Sequence, residues 1–134
     1  MKDSTPSSPT LVDPLALSRL VHDDYSNVSL GNVNDHEIRM SVMRGPFRWH
    51  RHPDSDETFL AVDGGLVIEF EAGEVVLEPG QFLTVPRGLL HRTRPLSERS
   101  VNLTFERTAP PPCSRTDRAP RTGVDLLALA RPIG

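Results

Sequence analysis

From about residue 27 to residue 107 apolar and polar side chains change places at almost every step, in short runs broken by glycine, proline and aspartate. Ile38, Met40 and Val42 alternate with Arg39, Ser41 and Met43, which is the two-residue period of a strand. Thr58 to Val62 is a β-rich run ending at Asp63-Gly64-Gly65, a sequence that predicts a hairpin. Leu66 to Phe70 leads into the tight turn Glu71-Ala72-Gly73, and Glu74 to Leu77 returns. Glu78-Pro79-Gly80 turns again before a strand over Gln81 to Val85, and Pro86-Arg87-Gly88 turns once more. Along Ser100 to Arg107, Val101, Leu103 and Phe105 share one face while Asn102, Thr104 and Glu106 share the other. Seven or eight short strands with turns between them predict an all-β sandwich or barrel.

The ends read differently. Residues 1–12 form an N-terminal arm, rich in Ser, Thr and Pro through Thr10, and are expected to be disordered. Asp13 has the chemistry of a helix N-cap and Pro14 that of a first helical residue. Leu17, Leu20 and Val21 follow at helical spacing, so a short helix over about 14–22 is expected, the alternative being an extended arm across a sheet. The barrel domain is placed at 13–107. Residues 108–134 form a linker and tail: Ala109-Pro110-Pro111-Pro112 is stiff and extended, and the apolar stretch Val124 to Ala130 should dock on the barrel or on a neighbouring subunit.

Composition narrows the field. A chain of 14.8 kDa, 37% hydrophobic and 25% charged, is an ordinary globular domain able to bury one core. Thirteen prolines and nine glycines favour turns and short strands over a helical bundle. A net charge of −3 and a pI near 5.9 give no reason to expect nucleic acid or an anionic membrane as partner. The single cysteine, Cys113, cannot form an internal disulfide and reads as structural or incidental. No apolar run reaches the ~18 residues of a membrane span, and the polar N-terminus lacks a leader's apolar core. The expected compartment is the cytoplasm.

One constellation carries chemistry. His50 and His52 stand two apart, so on a strand both project from one face. Pro53-Asp54-Ser55-Asp56 is a turn-prone insert that brings Glu57 alongside, and His91 arrives from a separate hairpin. In a closed barrel these four would meet inside, and a cation is the natural way to satisfy buried imidazoles and a carboxylate. His22 and His36 read as surface or satisfied histidines. Phe59 and Thr93 share faces with Glu57 and His91 respectively, and Arg87 lies in the turn beside His91, so these three are the candidate substrate contacts. Arg92, Arg94 and Trp49 have the opposite parity and should point away. No residue stands out as a catalytic acid or base.

Gly45, His50, His52, Glu57 and Gly64, followed by Gly80, Pro86, Gly88 and His91, resemble the two motifs of the cupin superfamily. Gly45 lies one residue closer to His50 than the first motif asks, and Pro95 stands where the second ends in Asn. The stretch of 15 residues between the motifs is short, as in compact microbial single-domain cupins. The resemblance implies a jelly-roll barrel (a double-stranded β-helix), usually in a homodimer, with His50, His52, Glu57 and His91 holding one divalent transition metal: Fe, Mn, Ni, Co or Zn. It further implies a metal-dependent enzyme of isomerase, dioxygenase, lyase or cyclase type, acting on a small oxygenated or anionic metabolite. The alternative is a non-catalytic module that binds a small, sugar-like molecule and uses its metal structurally.

Overall fold

The chain turns back on itself at short intervals, and among the described residues every strand pairing is antiparallel. In the computed structural model, which describes residues 8–108 and 131–132, the elements run in order β1 (Thr10–Leu11), α1 (Pro14–Ser18), β2 (Tyr25–Val33), β3 (His36–Met43), β4 (Glu57–Asp63), β5 (Leu66–Phe70), β6 (Gly73–Leu77), β7 (Phe82–Val85), β8 (Arg92–Pro95), β9 (Ser100–Arg107) and β10 (Arg131–Pro132). Five strands form one sheet in the order β2-β3-β9-β4-β7, three form another in the order β6-β5-β8, and β1 pairs with β10. This is the all-β barrel that the alternation predicts. No helix among the described residues is long and apolar enough to cross a membrane.

The large sheet is covered on both sides. Its outer face carries Val28, Leu30, Met40, Val42, Val101 and Leu103, which pack against Leu17 and Val21 of the N-terminal segment. Its inner face mixes apolar residues, Met43, Phe59 and Ala61, which meet Leu66, Ile68, Leu77 and Val85, with polar residues of β3 and β9 in the same rows. Strand β3 shows the consequence: Arg39 and Ser41 are buried on one side, Met40 and Val42 on the other. A pattern that reads as half-solvated thus belongs to a strand with no solvated face.

Asp13 caps α1 as expected, its Oδ1 accepting from Ala16 N at 3.1 Å. The helix stops at Ser18, four residues before the expected end. Beyond it Arg19, Leu20 and Val21 donate to carbonyls three residues back, a tightening that ends regular helix. The guanidinium of Arg99 then takes the carbonyls of Ser18 and Val21, supplying partners for the helix end. Leu17 and Val21 are buried, but Leu20 is 45% exposed and leaves the apolar face it was assigned to.

Within the arm assigned to residues 1–12, Thr10–Leu11 forms β1, in register with Pro132 and Arg131, so the tail returns to the arm of its own chain. The proline linker, Cys113 and the apolar stretch Val124 to Ala130 lie outside the described residues. Strand β2 is joined to β3 through Asn34-Asp35, with Asn34 at a φ of 54°, and an irregularity between Ser29 and Gly31 interrupts its register with β3.

Asp63-Gly64-Gly65 is not a hairpin. Strand β4 pairs with β7 and β9, whereas β5 pairs with β6 and β8, so this turn carries the chain from one sheet to the other. Both glycines have positive φ, 77° and 71°, and a Cβ on Gly64 would lie 1.9 Å from Arg99 O. Gly64→Ala therefore combines a left-handed backbone with a backbone clash and should cost roughly 2–4 kcal/mol in urea unfolding. Gly31→Ala, where a Cβ meets nothing within 4 Å, should change stability by less than about 1 kcal/mol. Equal losses in the two variants would overturn the assignment of Gly64 as the strained point of the crossing.

Candidate metal centre

The segment after β3 reaches the barrel interior without forming a regular strand. His50 makes an isolated bridge with His91, each amide donating to the other's carbonyl at 2.9 Å. Gly88 N donates to His52 O at 2.8 Å, which fastens the Pro86-Arg87-Gly88 turn to the same segment. The expectation that His50 and His52 lie on a strand is thus corrected: pairing with the His91 segment at a single bridge, rather than strand parity, holds them. Glu57 opens β4, opposite Val85 on one side and Glu106 on the other.

These elements bring His50, His52, Glu57 and His91 together. One nitrogen from each imidazole and one oxygen of Glu57 all lie within 4.8 Å of one another. Glu57 Oε1 is 3.1 Å from His52 Nε2 and 3.3 Å from His91 Nε2. Ligands on bonds of ~2.1 Å to one ion stand ~3.0–3.4 Å apart, so these spacings fit a shared first-row metal. Glu57 Oε1 and His91 Nε2 are buried with no hydrogen-bond partner, which a cation between them would remedy. His50 Nδ1 and His91 Nδ1 each lie 2.8 Å from a backbone carbonyl, Arg48 O and Leu89 O. That contact puts the ring proton on Nδ1 and leaves Nε2 as the donor to metal.

A cluster of this kind, at the inner face of a small antiparallel barrel, agrees with the family comparison: the family described as Cupin domain matches residues 38–105. The chain belongs to the cupin family. It is similar to the uncharacterized protein YdbB of Bacillus subtilis, with 43% identity over 93 residues, 69% of this chain and 81% of that protein. Among solved structures it is similar to a cupin-2 domain protein of Shewanella frigidimarina, 24% identical with a TM-score of 0.68, over 73% of this chain and 95% of that one. A structure of the DMSP lyases RdDddP and RnDddQII is 20% identical with a TM-score of 0.57, over 67% of this chain and 50% of that one. At these identities the two structures speak for the cupin fold alone.

The cavity of this cupin measures about 50 Å³, or about 480 Å³ counted out to its open mouth. Phe59 and Thr93, two of the candidate contacts, line it, and Phe59 stands edge-on to His91 at 5.8 Å between ring centres. Arg87 does not; it is exposed on its turn, where Asp56 Oδ1 accepts from its backbone N–H at 2.9 Å. Arg92 and Arg94 point outward to Glu69, and Trp49, 40% exposed, lies under the Arg92 guanidinium. His36 is an exposed partner of Asp35 and is not among the clustered ligands.

The wall that faces the cluster contains residues that the sequence pattern did not single out: Tyr25, Asn27, Arg39, Ser41, Asn102, Thr104 and Glu106. Asn27 donates to Ser41 at 2.7 Å, and the Arg39 guanidinium bonds to Asn27 and to Glu37, the latter at 3.1 Å. The signal was present as the polar half of the alternation on β3 and β9. It points into the barrel because the apolar half is needed to hold the N-terminal segment.

Burial shapes the electrostatics. Removal from water pushes His50 down to about 4, against the Arg48 carbonyl, which favours its charged form. Burial opposes ionisation of Glu57, yet His52 and His91 at its oxygen hold it down at about 2. Burial raises the Tyr25 phenol, which keeps it neutral.

His50 binds no proton in the folded state between about pH 4 and 6.5, where the unfolded chain does. Its contribution to stability is therefore present above pH 6.5 and lost as pH falls toward 4. Urea unfolding of the metal-free protein at pH 7 and pH 4.5 should show a decrease that is smaller in His50→Gln by on the order of 2 kcal/mol. Glu57 interferes little, because its contribution is lost only between about 4.5 and 2. An identical decrease in the variant would show that His50 is not a buried neutral imidazole.

Proposed function

We propose that this cupin is a metal-dependent enzyme acting on a small oxygenated or anionic metabolite, with His50, His52, Glu57 and His91 holding one divalent transition metal. The observation that carries the reading is the convergence of four ligand atoms within 4.8 Å of one another, three of them from residues that line a cavity open to solvent. A metal held there by four protein groups keeps a position for substrate and supplies a Lewis acid toward a carbonyl or hydroxyl oxygen. Isomerase, dioxygenase, lyase and cyclase chemistry all use such a centre.

The chain's own residues would do the rest. Tyr25, Asn27, Arg39, Ser41 and Thr93 give the cavity a hydrogen-bonding wall suited to an oxygen-rich molecule. Phe47 and Phe59 supply the apolar flank and fix the room available beside His50 and His91. The small volume favours a compact metabolite over a polymer. That a lyase shares the fold agrees with this reading, without specifying a substrate.

One observation favours the second reading, a non-catalytic module for a small, sugar-like ligand with a structural metal. Part of the polar wall is already bonded within itself, as in Asn27–Ser41 and Arg39–Asn27, which favours a rigid template. Turnover and O₂ uptake across a metabolite panel, with each metal loaded in turn, separate the two: binding without conversion under every metal favours the module. The proposal includes a homodimer in solution and a cytoplasmic location; a sedimentation mass of one chain would overturn the former.

Elemental analysis of protein purified without added metal or an affinity tag should find roughly one transition metal per chain. Less than about 0.1 per chain, with no uptake of Fe, Mn, Ni, Co or Zn, would overturn the metal site. His52→Ala should weaken binding at least about tenfold while His36→Ala leaves it unchanged.

A further inference from the structure

The three histidines of the cluster are oriented by different kinds of oxygen. His50 and His91 each set Nδ1 against the carbonyl two residues back in the chain, Arg48 O and Leu89 O. For His52 the equivalent carbonyl is His50 O, and His91 N already donates to it at 2.9 Å. Behind His52 Nδ1 stands instead the Glu106 carboxylate on β9, with Oε2 at 3.5 Å. His52 is therefore the one member of the cluster with carboxylates beside both ring nitrogens, Glu57 at Nε2 and Glu106 at Nδ1.

The position of Glu106 is a costly one for a charge. It is 6% exposed, and in the sheet it lies directly opposite Glu37 on β3 and Glu57 on β4. Like charges at opposed positions on one face repel, so a neutral side chain here would relieve both neighbours. The row is tolerable because cationic or proton-bearing groups lie between its members. Arg39 binds Glu37 at 3.1 Å, and His52 lies between Glu106 and Glu57. A carboxylate retained in such a place points to a task that a neutral residue would do less well.

We infer that Glu106 is a positioning residue for His52: it accepts the Nδ1 proton, fixes Nε2 as the ligating nitrogen and strengthens that nitrogen's donation to a metal. A carboxylate polarises an imidazole more than a carbonyl dipole does, so His52 becomes the strongest donor of the three. Glu57 also lies at His52 Nε2, and without Glu106 it would draw the ring proton to the ligating side. The inference rests on the metal-site reading proposed above, but the tautomer it requires is a property of the metal-free protein.

Cobalt(II) titration of the full chain, followed by visible absorption, tests the donor strength in Glu106→Ala and Glu106→Gln. The first should bind about tenfold to a hundredfold more weakly than the unsubstituted protein, and the second, which keeps the shape and an accepting oxygen, should fall between. Imidazole ¹⁵N shifts of the metal-free proteins should place the His52 proton on Nδ1. Glu106→Ala should remove that preference while leaving His50 and His91 unchanged, a response that a merely structural ion pair would not give. Affinities within about twofold of the unsubstituted protein in both variants would overturn the inference. So would a His52 proton on Nε2 in the metal-free protein. If the unsubstituted protein takes up no cobalt, the metal-site reading fails, and the ¹⁵N measurement alone then decides the role of Glu106.

Discussion

The burial of Glu57 is the constraint on which the site depends. A carboxylate this far from water needs positive charge beside it, and its neighbours are the Nε2 atoms of His52 and His91 at 3.1 and 3.3 Å, the atoms that would share a cation with it. Those groups must come from different parts of the chain, since a short strand cannot place both beside its own first residue. The bridge between His50 and His91 and the bond from Gly88 N to His52 O are the backbone connections that bring them. The ligand set is therefore assembled by folding, and much of the ordering that binding a metal would require is complete beforehand.

The same economy explains the unusual polarity of the large sheet. The outer faces of β3 and β9 are committed to Leu17 and Val21, so Met40, Val42, Val101 and Leu103 cannot also fill the barrel. The interior near the cluster is left to Arg39, Ser41, Asn102, Thr104 and Glu106. Asn27 bonds to both Ser41 and Arg39 and so helps to satisfy that wall where water is scarce. The polarity of the wall and the attachment of the N-terminal segment are two results of one choice of register.

Much of this was legible in the sequence, for definite reasons. Strands β5 and β9 were placed to the residue because turns bound them closely and alternation fills them. The four clustered residues could be named because imidazoles and a carboxylate, set between turn glycines in a barrel, are costly to bury without a cation. The wall was not legible, since alternation in β3 and β9 states that two faces differ but not which one is inside. Asp63-Gly64-Gly65 departs from the predicted hairpin for a related reason. Positive φ announces a tight turn, but whether the next strand pairs with the last depends on Arg99 and the β8–β9 connection, 35 residues further on. Helix α1 ends where that same distant arginine takes the Ser18 carbonyl, a partner that no local pattern reveals.

Arg99 joins three regions that would otherwise be independent. Its backbone oxygen lies against Gly64 at the crossing between sheets, its side chain holds the Ser18 and Val21 carbonyls, and β9 begins at the next residue. Lifting the N-terminal segment off the large sheet would therefore break the Arg99 contacts and uncover the apolar outer face in the same event. Such an opening is cooperative rather than a fraying of the end. The N-terminal segment thus belongs to the same unfolding unit as the barrel. Amide protons near Leu17 and Val21 should exchange with the slow class of the barrel's own strands, although they lie on a short helix close to a terminus.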